Sequence, residues 1–352
     1  MKMSKKLSDY KILITGASGS LGKQLIHELV DRGIKPIAHV RENSDTVYID
    51  SHKLEKRIAD LRNEDQLEKL VEGVDMVIHT AAWVNFRQDR LTQFTGINTM
   101  GALAMYNAAR KAGVKRFLHV STVAAVAGMR RNSDNKKLRW PPLVNEEHEF
   151  NLERLRIPYI LTKHAAEVEL RKAAAAGDPE LVIVNPSIMV APSRTGDDRR
   201  KATRWFSKLI MPDIPVRVNL VDIRDVAPGI LAALARGRNG ERYILAGDNI
   251  TARELVLAIS AVLAKLPHLV RFPRAFYDFL ARVAVTVGRM LGRRKVSFYP
   301  DLVKMLDYDW AYSSAKAREE LGYRNRSIFI TLEDLLTSNF TGSYIKEGPN
   351  GK

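Results

Sequence analysis

The sequence predicts a doubly wound α/β fold, in which a parallel sheet lies between two layers of helices, with a smaller, mostly helical C-terminal lobe after it. Short apolar runs alternate with helical patterns through the first half of the chain, as in a parallel sheet whose strands are joined by helices. A glycine-rich turn follows the first apolar run, and the alternation loosens from about residue 192. The length of 352 residues suits a main domain with a second lobe.

Each element of the first half has its own local signal. Apolar residues between Leu21 and Arg32 recur at the spacing of one helix face, and Gly33 follows as a typical helix terminator. Pro158 suits the first turn of a later helix, which we expect to end before Gly177. We expect strands at 11–16, 35–40, 56–60, 75–82, 115–122 and 180–186, and helices at 21–32, 64–73, 98–113 and 158–176.

The segment TGASGSLG places Gly16, Gly19 and Gly22 between the first strand and the first helix. Glycines at this spacing let the backbone turn tightly and approach the phosphates of a dinucleotide, while the helix N-terminus offers free N–H groups and a partial positive charge. The position directly after a buried strand makes this pattern more specific than a glycine triplet alone. A plain strand-to-helix turn is the alternative.

The end of the second strand indicates which dinucleotide binds. An acidic residue there holds the ribose 2′-hydroxyl of NAD, whereas a basic residue accommodates the 2′-phosphate of NADP. Arg41 stands at about this point. NADP(H) is therefore favoured, and NAD(H) is the alternative because Glu42 follows as a competing acid.

These signals divide the chain. We expect a dinucleotide-binding domain at 1–191 that also carries the catalytic residues. Residues 192–340 are expected to form mainly a substrate-binding lobe, with helices at 225–235 and 253–264 and some segments that return to the sheet. The tail at 341–352 is expected to be disordered.

Composition excludes several kinds of site. The chain has no cysteine, which excludes disulfides, thiolate catalysis and cysteine-bound zinc, and its 8 histidines show no HxxxH or HExxH spacing, so no metal is expected. No apolar run approaches the ~18 residues of a membrane span and no secretory signal core precedes the glycines, so we expect a cytoplasmic protein. The net charge of +16 is explained by a solvated basic surface, by attraction to acidic membrane headgroups, or by an anionic substrate; no nucleic-acid motif accompanies it.

Several motifs follow one another in order. They are TGxxGxxG at 15–22, ADL at 59–61, HTAA at 79–82, Asn98 in GINTMGA, HVST at 119–122 and YxxxK at 159–163. In order and spacing the chain resembles the extended short-chain dehydrogenase/reductase family, also called the NAD-dependent epimerase/dehydratase family. Within it, the chain looks most like the dihydroflavonol reductases and 3-beta-hydroxysteroid dehydrogenases. The resemblance covers nearly the whole chain and implies a Rossmann-type fold and a homodimer formed through the helices that carry Asn98 and Tyr159.

The resemblance also implies roles for individual residues. Asp60 would hydrogen-bond the adenine amino group beside Leu61, and the backbone after Pro186 would meet the nicotinamide carboxamide. Asn98 would kink its helix and hold a water next to Lys163. The implied cofactor-binding residues are Gly16, Ser18, Gly19, Ser20, Leu21, Gly22, Arg41, Asp60, Leu61, Ala81, Ala82, Tyr159, Lys163 and Pro186.

The central pair is Tyr159 and Lys163, which are four residues apart and share one face of a helix. An ordinary phenol titrates near pH ~10, and an ammonium group beside it favours the phenolate and lowers its pKa. We therefore expect Tyr159 to donate or accept the proton, and Lys163 to tune it and to bind the nicotinamide ribose. On spacing alone, the simpler interpretation is that the Tyr159 and Lys163 side chains contact each other at the protein surface.

A hydroxyl at the end of the fifth strand is expected to orient the substrate carbonyl. Thr122 is favoured as the catalytic hydroxyl, with Ser121 as the alternative. The choice stays open because Gly128 lies one residue later than the family pattern expects. With Asn98, Tyr159 and Lys163, Thr122 completes the predicted catalytic set.

Other polar residues are interpreted as structural. His79 and His119 lie at the ends of apolar strands and are expected to be satisfied core residues. Asp222 and Asp225 could suggest paired catalytic carboxylates, but a helix cap at Asp225 explains them more simply.

The favoured function is reduction of a ketone or aldehyde by NADP(H), or the reverse oxidation of an alcohol. A nucleotide-sugar epimerase or dehydratase is the second hypothesis, and a non-catalytic dinucleotide sensor is the third. An apolar substrate is indicated by Trp83, Phe86, Met189 and Trp205, which could equally pack the two lobes together. The basic amphipathic segment 274–295 is expected to cap the substrate pocket or to contact an anionic membrane.

Overall fold

The structure is a computed structural model, and it describes residues 6–84, 91–131, 140–191, 210–263, 268–290 and 303–337. The strands in chain order are β1 (Ile12–Thr15), β2 (Ile37–Val40), β3 (Lys56–Ile58), β4 (Met76–His79), β5 (Arg116–Val120), β6 (Met129–Arg130), β7 (Glu180–Pro186), β8 (Ile188–Val190), β9 (Ile210–Pro212), β10 (Arg217–Asp222), β11 (Arg242–Leu245), β12 (Asp248–Thr251), β13 (His268–Val270) and β14 (Tyr308–Asp309). The α-helices are α1 (Ser20–Val30), α2 (Val47–Ser51), α3 (Glu64–Leu70), α4 (Leu91–Phe94), α5 (Gly101–Lys111), α6 (Pro158–Ala174), α7 (Ile223–Arg236), α8 (Ala252–Val262), α9 (Arg274–Met290), α10 (Ala315–Leu321) and α11 (Ile328–Thr337).

A seven-stranded parallel sheet forms the centre of the molecule, in the order β11-β7-β5-β4-β1-β2-β3. The strand order reverses between β1 and β4, and in such sheets ligands bind outside the carboxyl ends of the strands at this reversal. The predicted doubly wound parallel fold is confirmed. β11 joins the sheet from the C-terminal part of the chain, where it pairs with β7.

Helices cover both faces of the sheet. On one face, α1 and α7 pack over strand residues such as Ile14 and Leu118. On the other face, α3, α5 and α6 pack over Leu13 and Phe117. Because both faces are buried, the central strands are almost continuously apolar instead of alternating, which is why their sequence signal was clear.

The C-terminal lobe contains strands as well as helices. β8, β10 and β12 form a three-stranded sheet, and β9 pairs with β13. Helix α8 begins with a capping box, in which the Thr251 side chain accepts from the Glu254 N–H and the Glu254 carboxylate accepts from the Thr251 N–H. These strands are three to six residues long, too short to give a periodic signal in the sequence.

Two local expectations need correction. The helix expected at 98–113 begins earlier, with α4 and a π-helical segment at Thr95–Met100 before α5. The N-terminal cap of α7 is Asp222, whose carboxylate accepts the N–H of Arg224 at 2.7 Å, whereas Asp225 binds Arg326 of the C-terminal segment. The segment 192–209 and the tail at 341–352 lie outside the described residues, so the predictions made for them are not addressed by the structure.

Candidate active site

A cavity of about 550 Å³ opens at the carboxyl edge of the sheet, between the turn after β1 and the start of α6. It brings together residues that are far apart in the sequence, from the glycine-rich turn to the tyrosine and lysine of α6. The predicted cofactor-binding residues that line it are Gly16, Ser18, Gly19, Ser20, Leu21, Gly22, Arg41, Asp60, Leu61, Ala81, Ala82, Tyr159 and Lys163. Pro186, at the end of β7, is buried and is not part of this lining.

The glycine-rich turn is shaped by close backbone contacts. Gly16 has φ +69°, and a Cβ there would lie 2.9 Å from the Thr80 hydroxyl. A Cβ on Gly22 would lie 2.4 Å from the Gly16 carbonyl oxygen, closer than any real side chain can approach. Only glycine therefore lets the first turn of α1 pack against the loop and place its N-terminus at the cavity.

The far end of the cavity carries opposite charges. Arg41 is exposed, lines the cavity and makes no hydrogen bond through its guanidinium within the described residues. Asp60 accepts hydrogen bonds from Arg62, which is the main reason that the pKa of Asp60 is lowered to about 2. Asp60 is therefore a carboxylate at neutral pH and is already engaged by a neighbouring side chain.

Tyr159 lines the other end of the cavity and contacts Thr122, which is not itself among the lining residues. The Tyr159 side chain is partly buried and hydrogen-bonds with the Thr122 side chain. Burial raises the pKa of Tyr159 to about 12, and the bond with Thr122 only partly opposes this rise. The sequence predicted that Lys163 lowers this pKa; in the structure the pKa is raised, and the group that opposes the rise is Thr122.

The loop that carries the two candidate hydroxyls continues as one turn of 3₁₀ helix at Val123–Ala125. Thr122 caps this turn by accepting the N–H of Ala124 at 3.4 Å, and its hydroxyl faces Tyr159. Ser121 instead lines the cavity, with a buried hydroxyl that has no hydrogen-bond partner among the described residues. The two hydroxyls thus lie in different surroundings: that of Thr122 is bonded to Tyr159, and that of Ser121 belongs to the cavity wall.

Lys163 is almost fully buried, with 1% of its surface exposed. Its ammonium donates to the Val120 carbonyl oxygen at 2.7 Å and lies 3.2 Å from Nε2 of His119. Burial lowers the pKa of Lys163 to about 8, and the negative charge of Glu167 on the same helix opposes this shift. The residue lies on the cavity wall beside Tyr159, as the YxxxK spacing predicts.

Asn98 supports the wall of the cavity. It lies in the π-helical segment and is 1% exposed. Its side chain accepts the N–H of Trp83 at 2.7 Å and donates to the Trp83 carbonyl and to the Thr162 hydroxyl. Through these bonds the Asn98 amide fixes the loop after β4, and the predicted water next to Lys163 stays a prediction.

The substrate side of the cavity is apolar where it is described. Trp83 and Met189 line it, and Val84 and Ile188 expose 65% and 55% of their surface nearby in the chain. Phe86 and Trp205, which the sequence also suggested, lie outside the described residues.

Sequence reasoning missed several lining residues, namely His39, Ser44, Thr80 and Val120 in or after strands and Ile97 in the π-helical segment. The signal of the first four was only their position near the carboxyl ends of strands that meet at this edge. It also expected His79 and His119 to have all their hydrogen bonds made, yet in the described part of the chain each keeps one buried ring nitrogen without a hydrogen-bond partner. Within the described ranges, no group of three or more His, Asp or Glu side chains is arranged to hold a metal ion.

Comparisons with known proteins agree with this geometry. The model of the NAD dependent epimerase/dehydratase family matches residues 12–246. Sterol demethylase protein B of Methylococcus capsulatus is 28% identical over 313 residues, which cover 88% of this chain and 92% of that protein.

Another relative is the 4-hydroxy-2-methyl-3-oxo-4-farnesyl-3,4-dihydroquinoline-1-oxide ketoreductase of Stigmatella aurantiaca. It is 29% identical, and the match covers 90% of this chain and 92% of that enzyme. Among solved structures, gox2253 superposes with a TM-score of 0.76 at 27% identity, covering 93% of this chain and 97% of its own.

Proposed function

The chain belongs to the NAD-dependent epimerase/dehydratase family of extended short-chain dehydrogenases/reductases, and we propose that it reduces a ketone or aldehyde on an apolar molecule with NADP(H), or oxidises the matching alcohol. One observation carries the proposal: a single cavity joins the glycine-rich turn to Tyr159 and Lys163. A dinucleotide bound at the turn would extend along this cavity toward the two side chains that can handle a proton.

The residues present fit such a cofactor. The turn at Gly16 and Gly22 has no room for side chains, which is the shape that lets a backbone approach a pyrophosphate. At the other end, the unpartnered hydroxyl of Ser121 offers a hydrogen bond inside the cavity. The free guanidinium of Arg41 suits a 2′-phosphate, which favours NADP(H) over NAD(H).

The bound cofactor would supply the hydride, and the side chains of this chain would supply the proton and hold the oxygen. Tyr159 keeps its proton at neutral pH because its pKa is raised to about 12, so it is in the donor state that carbonyl reduction requires. Thr122, hydrogen-bonded to Tyr159, would hold the carbonyl oxygen where negative charge develops. The Lys163 ammonium would bind the ribose and stabilise the phenolate that remains after proton transfer.

An apolar substrate is supported by two observations. Trp83 and Met189 form the described substrate side of the cavity. The relatives from Methylococcus and Stigmatella are named for a sterol and for a farnesyl-bearing quinoline, both of which are largely apolar. We therefore place the substrate among hydrophobic ketones or aldehydes with a ring system or a long chain.

The proposal is tested by following NADPH absorbance with a panel of apolar ketones, aldehydes, steroids and nucleotide sugars. We expect net NADPH consumption with at least one apolar carbonyl compound, and no turnover by the Tyr159→Phe protein, which should still bind NADPH. Conversion of a nucleotide sugar without net loss of NADPH would instead support an epimerase or dehydratase. Full activity of Tyr159→Phe would contradict the assignment of the proton donor.

Membrane contact through 274–295 stays a prediction, as does the homodimer. Within the described residues no helix is long and apolar enough to cross a membrane. The apolar face of α9 is nevertheless exposed, with 62% of Phe279 and 46% of Val287 accessible, and Arg282 is exposed on the same helix. Sedimentation with anionic and with neutral vesicles at low salt tests this contact, and equal recovery with both would contradict it.

A further inference from the structure

His119 is a buried histidine that makes direct contact with the predicted catalytic lysine. Its Nε2 lies 3.2 Å from Nζ of Lys163, and both residues are 1% exposed. The same ammonium donates to the carbonyl oxygen of Val120, the next residue of β5. The end of β5 thus presents two acceptors, one from the backbone and one from a side chain, to a single buried cation.

The contact determines where the proton of the imidazole lies. A protonated lysine can only donate, so the Nε2 that it contacts must be free of hydrogen and must accept. His119 is therefore neutral, with its hydrogen on Nδ1. Burial and the positive charge of Lys163 both lower the pKa of His119 well below its usual value, which leads to the same protonation state.

The ring is held in this orientation by its neighbours. It stacks against His79 of β4, with ring centroids 5.5 Å apart and planes inclined by 20°. His79 is itself fixed by Thr15 of β1, whose hydroxyl lies 2.9 Å from Nδ1 of His79. The Thr15 hydroxyl also accepts the N–H of Ala81, a residue of the cavity wall.

Few other groups can compensate the charge of Lys163. On its own helix, Glu167 is a buried acid that raises the pKa of Lys163, and Tyr159 is an uncharged phenol at neutral pH. From the sheet, His119 and His79 face it, and the pKa of each is lowered partly by the lysine charge. A buried ammonium is costly unless its hydrogens are bonded, so each acceptor contributes to keeping it charged.

We propose that His119 is a positioning residue that holds the Lys163 ammonium at the floor of the cavity by accepting a hydrogen bond at Nε2. Without this acceptor, one hydrogen of the ammonium would face apolar core, and the neutral amine would gain in population. The importance of this contact for turnover rests on the proposed function, but the contact itself does not.

The first test uses the unmodified protein and needs no substrate. Nitrogen-15 NMR of histidine-labelled protein distinguishes a protonated from an unprotonated ring nitrogen, and the His119 signal is assigned by its loss in His119→Gln. We expect hydrogen on Nδ1 and an unprotonated Nε2 between pH 6 and 7, where Lys163, with its pKa lowered to about 8, carries its charge. The opposite tautomer, or a ring protonated on both nitrogens, would overturn the proposal.

The second test measures the ionisation of Lys163 by NMR of carbon-13 labelled lysine, with the signal assigned by its loss in Lys163→Arg. His119→Leu removes the acceptor, and we expect the lysine to titrate about one pH unit lower, the size expected for a hydrogen bond to a charged group. His119→Gln places a carbonyl oxygen near the position of Nε2 and should restore most of the difference. An unchanged titration in His119→Leu would overturn the proposal, and if that variant does not fold the tautomer measurement decides.

A matched control is His164→Leu, which removes a partly buried imidazole from the residue next to Lys163. His164 contacts the Ala125 carbonyl and stacks on Phe150, and has no contact with Lys163 in the structure. Its variant should leave the lysine titration in place. If the protein oxidises NADPH with a carbonyl substrate, the alkaline limb of the pH–rate profile should shift in His119→Leu by as much as the Lys163 titration shifts. It should not shift in His164→Leu. If no reduction is found but the titration moves, the positioning role stands and the proposed reaction fails.

Discussion

The proposed preference for NADP(H) is argued from Arg41, and replacing this residue by alanine gives the most quantitative prediction. Its guanidinium is exposed and makes no hydrogen bond within the described residues, so truncation breaks no contact in the free protein. Any loss of affinity therefore comes from the complex. A hydrogen bond between charged groups contributes about 1.5–3 kcal/mol, and the exposed position places Arg41 in the lower half of that range.

At about 2 kcal/mol, Arg41→Ala should weaken NADPH binding about 30-fold. NADH has no 2′-phosphate, so its dissociation constant should change by less than about threefold. NADH binding to the same variant is therefore the internal reference for the NADPH measurement. Arg41→Lys should fall between the two, because lysine keeps the charge but not the paired donors of the guanidinium. The dissociation constants are measured by quenching of tryptophan fluorescence at fixed ionic strength.

The matched control for this prediction is Arg62→Ala. Arg62 carries the same charge nearby, but its guanidinium is bound to Asp60 and it is not part of the cavity lining. This variant should leave the ratio of NADPH to NADH affinity almost unchanged. Equal weakening of both cofactors by Arg41→Ala, or no weakening of either, would refute the reasoning.

Three further predictions concern the turn, the hydroxyls and the cavity wall. Gly22→Ala should abolish NADPH binding because its Cβ would lie 2.4 Å from the Gly16 carbonyl oxygen. The control is Gly33→Ala, which is also at a turn but has open space around it; it should bind NADPH normally and lose only about 1 kcal/mol of unfolding free energy. Thr122→Ala should lower kcat by about 10²–10³ and Ser121→Ala by less than about tenfold, and the reverse order in steady-state assays would reassign the catalytic hydroxyl. Asn98→Ala removes the side chain that bonds the backbone N–H and carbonyl of Trp83, so the free energy of unfolding measured with urea should fall by about 2–4 kcal/mol. An unchanged urea midpoint would contradict the supporting role of Asn98.

The sequence predicted the main sheet and most of the cavity because their signals are local and strong. Buried parallel strands are short apolar runs, and the glycine turn needs residues without side chains at Gly16 and Gly22. Tyr159 and Lys163 could be placed on one face because a helix has a fixed period. The parts that depend on these periods were predicted well.

Features set by tertiary contacts could not be predicted in this way. The pKa of Tyr159 rises because the folded protein buries the phenol, and no spacing in the sequence reports how deeply a group is buried. The cap of α7 was assigned to Asp225, because the bond between Asp222 and the Arg224 N–H becomes apparent only once the start of α7 is in place. The contact between Asn98 and Trp83 likewise depends on the folded loop after β4. His119 and Lys163 are 44 residues apart in the sequence, so no local pattern predicts their contact.

The transfer of hydride to the substrate carbon is the central claim, and isotope tracing tests it most directly. The protein is incubated with an apolar carbonyl compound from the panel and NADPH deuterated at C4 of the nicotinamide, on each face in turn, and the product is analysed by mass spectrometry. We predict one deuterium on the new carbinol carbon with one of the two labelled cofactors, and one NADP⁺ formed per product. A product without deuterium from either cofactor, or an isomerised substrate with no NADP⁺ formed, would contradict the assignment as a reductase.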